Sequence, residues 1–148
     1  MRVSVLGGST ASAEHSEQAR AVGRLLAERD HEVVCGGRTG VMEAVCRGAV
    51  EAGGHTIGIL PGEDREAANP YVETAIATGL GNARNALVVG NGDAAIAIDG
   101  STGTLSEIAL ALDAGKAVAG IDTYDVTGVE PVGSPEAAVE YVETMVRG

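Results

Sequence analysis

The stretch Ala94-Ala95-Ile96-Ala97-Ile98-Asp99-Gly100-Ser101-Thr102-Gly103-Thr104-Leu105-Ser106-Glu107 decides how this chain folds. Its first five residues are apolar without alternation, the mark of a strand buried on both faces. A Gly/Ser/Thr turn follows, and the pattern then predicts a helix over 104–114 that stops at Gly115. Such a junction presents free backbone N–H groups and the positive end of a helix dipole, a place for a phosphate. Thr104-x-x-Glu107 also has the form of a capping box, with Thr104 as N-cap and Glu107 reaching back to its N–H. Glu107 therefore reads first as a capping residue and second as a carboxylate available for chemistry.

The same order of strand, glycine turn and helix repeats outward. Arg2 to Leu6 forms a strand ending in Gly7-Gly8-Ser9-Thr10, and Ala19, Val22 and Leu26 mark a helix within 13–29. Glu32 to Cys35 runs into Gly36-Gly37-Arg38-Thr39-Gly40. A helix from Val41 follows, carrying Val45, Ala49 and Ala52 and stopped by Gly53-Gly54. Thr56 to Leu60 is a strand broken by Pro61-Gly62. Residues 63–80 read as a loop containing Asn69-Pro70, then a short strand near Thr74 to Ala77, with a helix over 82–90 beyond it. Ala117 to Ile121 is a further strand. The last helix has Ser134 as N-cap and Pro135 in its first turn, and runs to Arg147. Strands alternating with helices give an α/β protein: a doubly wound, mainly parallel sheet in a three-layer α/β/α sandwich, in one domain spanning 1–148. Ligands of such sheets bind outside the carboxyl ends of the strands, where the Gly-rich turns lie.

Composition narrows the function. The 148 residues suffice for a full core without disulfide or metal. Arg2 leads directly into a strand, so no signal peptide is expected, and no run approaches the roughly 18 apolar residues of a membrane span. Cys35 and Cys46 have no metal-type spacing and read as buried thiols in a reducing cytoplasm, with no metal site expected. Twenty-one acidic residues against ten basic ones give a net charge of −11. That balance disfavours nucleic acid and anionic membranes as partners. With Lys116 the sole lysine, it suits a salt-adapted cytoplasm, or a genome that favours arginine codons. Neither G-x-x-x-x-G-K-[ST] nor a G-x-G-x-x-G after the first strand is present, which excludes a P-loop and ordinary dinucleotide binding.

Two arginines supply fixed cations at the ligand edge. Arg84 lies in Gly81-Asn82-Ala83-Arg84-Asn85, and Arg38 in the turn after the second strand. Each suits bidentate phosphate binding, and each is alternatively a solvated surface charge.

Four segments carry a family resemblance: Gly36-Gly37-Arg38-Thr39-Gly40-Val41-Met42-Glu43-Ala44, Ile57-Gly58-Ile59-Leu60-Pro61-Gly62, Asn82-Ala83-Arg84-Asn85 and Gly103-Thr104-Leu105-Ser106-Glu107. In this order, with Ser134-Pro135-Glu136-Ala137-Ala138-Val139 near the end, the chain resembles the Rossmann-like superfamily once labelled "lysine decarboxylase". That superfamily holds the LONELY GUY phosphoribohydrolases and the molybdenum cofactor carrier proteins. The resemblance implies a Rossmann-like sandwich, a homodimer or homotetramer, and a small phosphorylated ligand at the 100–104 turn. The ligand would be a nucleotide or the molybdenum cofactor, with no resident cofactor required.

Candidate ligand residues at the first and second turns are Gly8, Ser9, Gly37, Arg38, Thr39 and Gly40. Arg84, Asn85, Gly100, Ser101, Thr102, Gly103 and Thr104 complete the set. In the hydrolase branch the matching catalytic positions are Arg84 and Glu107. Two departures favour the carrier branch. Asp99 and Ser101 alter the family's usual Pro-Gly-Gly-x-Gly-Thr turn, and Gly81-Asn82-Ala83-Arg84-Asn85 lacks the histidine and lysine of the hydrolase branch's Met-His-x-Arg-Lys segment. If Asp99 faced a phosphate about 7 Å away, the repulsion would cost on the order of 2 kcal/mol at an effective dielectric of 20. The preferred reading has it pointing sideways, fixing the turn. Lysine decarboxylation is set aside, because Lys116 lacks any supporting motif for a pyridoxal Schiff base.

Overall fold

The continuous apolar runs form the interior of a seven-stranded sheet in which every neighbouring pair is parallel. The computed structural model describes all 148 residues. The strands are β1 (Arg2–Leu6), β2 (Glu32–Cys35), β3 (Thr56–Leu60), β4 (Thr74–Ala77), β5 (Ala94–Ile98), β6 (Val118–Ile121) and β7 (Val129–Pro131). Their order is β4-β3-β2-β1-β5-β6-β7. Five helices cover the faces: α1 (Ala13–Glu28), α2 (Val41–Glu51), α3 (Asn85–Gly90), α4 (Thr102–Asp113) and α5 (Pro135–Arg147). Successive strand residues feed opposite layers, because strand side chains alternate. Val33, Cys35, Ala94, Ile96 and Ile98 pack with α1, α2 and α5. Val34, Ala95 and Ala97 pack with α3 and α4. The fold is the three-layer α/β/α sandwich that the sequence implies, and no helix is long and apolar enough to cross a membrane.

Three elements depart from the sequence reading. The edge strand β7 was not foreseen; at three residues, including Glu130 and Pro131, it has no apolar period to read. The helix expected over 82–90 begins as a 3-10 turn, Gly81–Arg84, and becomes α-helical only from Asn85. Helix α4 starts at Thr102, two residues before the expected position, with Ser101 as N-cap. The Ser101 N–H donates to Thr104 Oγ1 at 3.1 Å, so the capping box is Ser101-x-x-Thr104. Thr104 is not the N-cap and Glu107 caps nothing. Two polar side chains closer in sequence satisfy the helix end.

The small-residue composition has its sharpest use between α1 and α2. A Cβ on Gly23 would lie 2.0 Å from the Val45 carbonyl oxygen, and one on Gly48 would lie 1.9 Å from that of Arg20. Each helix thus rests a glycine against the other's backbone. Alanine is the better helix former by about 1 kcal/mol, but here the helices must move apart to admit it, and overpacking of this kind costs about 1–3 kcal/mol or more. Gly48→Ala is therefore expected to lower the denaturant midpoint. An unchanged or raised midpoint would show that the contact yields without cost.

Candidate functional site

The strand order reverses between β1 and β5, so the turns that follow these strands leave the sheet in opposite directions and open a crevice. A cleft of about 200 Å³ occupies it, and only Val5 and Met42 of its fourteen lining residues are apolar. A wall this polar suits a charged or strongly hydrated ligand. The turn after β1 contributes Gly7, Gly8 and Ser9. The turn after β2 contributes Gly36 and Arg38, the 3-10 turn and α3 contribute Asn82, Arg84 and Asn85, and α4 contributes Ser101, Gly103, Thr104 and Glu107.

Some expected ligand residues instead hold the turns together. Thr39 Oγ1 donates to the Ser9 carbonyl at 2.8 Å, and the Val41 N–H donates to the Gly8 carbonyl at 3.1 Å. Gly40 has φ +65, and a Cβ there would meet the Gly8 carbonyl at 2.4 Å, so only glycine fits. Gly37 lies under β3, against Gly58 and Leu60, while Gly100 faces Tyr124. Neither these glycines nor Thr39 and Thr102 line the cleft. Sequence reasoning passed over Asn69. This buried side chain donates from Nδ2 to the Arg38 carbonyl at 2.7 Å and accepts the Tyr71 N–H at 3.0 Å, fixing the turn that presents Arg38. Its one sequence signal was the Asn-Pro pair, which reads only as a turn.

Arg84 is buried, and its guanidinium is held by the ends of two strands. Nε donates to the Ile59 carbonyl at 2.9 Å, Nη2 to the Gly36 carbonyl at 3.5 Å, and Nη1 to Asn85 Oδ1. A second N–H on each terminal nitrogen remains for the cleft. Burial, with Arg38 nearby, lowers its pKa from the usual arginine value. Arg38 stands exposed at the rim.

Glu107 lies in the second turn of α4, 7 % exposed, with no hydrogen bond or ion pair to its carboxylate. Burial pushes its pKa up to about 7, against the pull of Arg84. Asp99 turns away from the cleft: its carboxylate is 3.4 Å from His15 Nδ1, whose Nε2 is 3.3 Å from Asp122. Thr123 Oγ1 donates to the Asp99 carbonyl at 2.6 Å. Its charge belongs to the turn.

Comparison with known proteins places the chain in a family across nearly its whole length. The SLOG cluster4 family model matches residues 1–147. The chain belongs to that family. Its structure is similar to the molybdenum cofactor binding protein of the phototrophic bacterium Rippkaea orientalis, at 35 % identity and a TM-score of 0.93, over 98 % of this chain and 96 % of that one. The molybdenum cofactor carrier protein of Chlamydomonas reinhardtii matches at 29 % identity and TM-score 0.91, over 99 % and 98 %. A rice (Oryza sativa subsp. japonica) protein described as a probable cytokinin riboside 5'-monophosphate phosphoribohydrolase is 36 % identical over 112 residues. Those residues are 72 % of this chain and 46 % of the rice protein.

Glu107 gives this SLOG chain a testable pH signature. The folded protein holds that proton more tightly than the unfolded chain, so stability falls as pH rises from 4.5 to about 7. Above that window the ionised carboxylate costs on the order of 3 kcal/mol. Glu107→Gln is expected to raise the stability well above pH 7 by up to that amount and to change it little near pH 4.5. Equal effects at the two pH values, read by denaturant unfolding, would refute the assignment.

Proposed function

We propose that this chain is a cytoplasmic binding protein for a small phosphorylated ligand, a nucleotide or a molybdopterin-type cofactor carried as cargo. The observation that supports this most directly is the pairing of Arg38 and Arg84 across a polar cleft from the first turn of α4. Charge-assisted hydrogen bonds from arginine to phosphate contribute about 1.5–3 kcal/mol each. The N–H groups of the α4 turn, with the Ser101 and Thr104 hydroxyls, add neutral donors around the same anion. Asp99 does not oppose it, since its carboxylate faces His15. The likeness to molybdenum cofactor binding and carrier proteins points the same way.

A hydrolase reading has its own support, because Arg84 and Glu107 share the cleft and Glu107 is free of any capping role. In it, Glu107 would engage ribose hydroxyls and stabilise positive charge growing at the anomeric carbon, with water as nucleophile. That role needs the ionised carboxylate, which burial disfavours. The carrier reading is preferred on the likeness to molybdenum cofactor binding and carrier proteins over nearly the whole of both chains, where the rice protein is matched over 46 % of its length. For the homodimer or homotetramer, the candidate contact is the face on which Leu87 of α3 and Leu105 and Leu110 of α4 stand exposed.

Titration calorimetry with nucleoside monophosphates and with molybdopterin tests the reading. Binding is expected without release of free base, weakened about tenfold or more by Arg38→Ala or Arg84→Ala. Base release that disappears in Glu107→Ala would replace the carrier by the hydrolase. No binding, or binding indifferent to both arginines, would remove the site. Light scattering is expected to show an assembly that Leu105→Glu shifts toward monomer; a monomeric wild type would refute it.

A further inference from the structure

The cleft contains one ionisable side chain that a phosphate would repel. Of its lining residues only Arg38, Arg84 and Glu107 carry ionisable groups, so Glu107 is the lone acid facing two fixed cations. No donor or cation within ion-pairing reach satisfies it; Arg84, anchored to the Ile59 and Gly36 carbonyls and to Asn85, acts on it only through space. The elements around it offer no other relief. β5 and β6 carry no titratable side chain, Arg2 of β1 pairs with Glu32 at the far end of the sheet, and Asp113 lies at the other end of α4. Cys35 of β2 is buried against Cys46. The three histidines lie elsewhere: His15 sits between Asp99 and Asp122, His31 pairs with Glu143 and His55 with Glu32.

An ionised, desolvated Glu107 and a bound dianion would thus share one small cleft. The protonated carboxyl removes the repulsion, and its O–H becomes a donor that can point at the ligand. We propose that the cleft is proton-linked: a phosphate-bearing ligand enters together with one proton, which solvent delivers to a Glu107 carboxylate oxygen. The ligand's own bonds are unchanged. This rests on the phosphate reading above and adds its regulation. A rise in pH favours release and a fall favours loading. Because binding and proton uptake are reciprocal, the loaded protein also holds the Glu107 proton to higher pH than the empty one.

Sulfate is the suitable probe, because it stays a dianion where phosphate itself titrates. Its affinity is measured calorimetrically at constant ionic strength from about pH 5 to about pH 9, for the wild type and for Glu107→Gln. The wild-type dissociation constant is expected to be flat well below the Glu107 transition and to rise above it by up to about tenfold per pH unit. Repeating the titration in buffers of different ionisation enthalpy should detect uptake of up to one proton per sulfate on the alkaline side. Glu107→Gln is expected to abolish the pH dependence, whatever its absolute affinity, and Arg38→Ala to weaken sulfate throughout, which locates it in the cleft. Sulfate binding without proton uptake, or with a pH slope that survives in Glu107→Gln, overturns the proton link alone. Sulfate indifferent to Arg38→Ala binds elsewhere and also overturns it. Failure of both sulfate and phosphate to bind at any pH removes the phosphate reading, and the proton link with it. The proton-uptake measurement uses the wild type and stands even if a variant fails to fold.

Discussion

The parallel pairing of β1 with β5 is the constraint on which the rest of the molecule depends. Val3 lies beside Ala94 and Leu6 beside Ala97, joining segments some ninety residues apart. At that seam the sheet changes winding direction, so α1 and α2 pack on one face while α3 and α4 pack on the other. The turn after β1 and the turn after β5 therefore diverge, and the gap between them is the cleft. Without the pairing, Ser9 and Ser101 would have no reason to meet. With it, a Cβ placed on Gly8 would already touch the Ser101 side chain at 3.8 Å.

Around that gap the chain arranges two kinds of polar group differently. The arginines are positioned through carbonyl oxygens: the Arg84 guanidinium by the ends of β2 and β3, and the Arg38 turn by Asn69. Backbone carbonyls orient a guanidinium without neutralising it, so the positive charge is kept for a ligand. The acid receives no such support. Glu107 is desolvated and unpaired, a state tolerated because its carboxyl can take up a proton. The net charge of −11 makes this local excess of positive charge the more distinctive, since over the whole chain acids outnumber bases about two to one.

Much of this was legible in the residues. β1, β2, β3 and β5 fall on their apolar runs, because a strand buried on both faces must be apolar nearly throughout and glycine or proline stops it sharply. The edge strand β4, by contrast, is half exposed and carries a weaker signal. The final helix was equally readable from Ser134 and Pro135, whose capping and fixed φ act locally. The start of α4 was not, because Ser101, Thr104 and Glu107 present two overlapping capping boxes, and the hydrogen bond to Thr104 Oγ1 selects the earlier one. β7 escaped because an edge strand held by neighbours needs no pattern of its own.

The site divides along the same line. Residue types and their place at strand ends were enough to name Arg38, Arg84, Ser101, Thr104 and Glu107 as candidates, since the chemistry of arginine and of a helix N-terminus travels with the residue. The tertiary structure alone decided their duties. It directs Asp99 toward His15, commits Thr39 and Gly40 to the β1 turn, brings Asn69 from an unreadable loop to hold Arg38, and leaves Glu107 buried without a partner. Whether a polar side chain binds, braces or waits uncharged depends on which distant carbonyl or carboxylate lies within about 3 Å of it. That is set by the pairing of strands far apart in the chain.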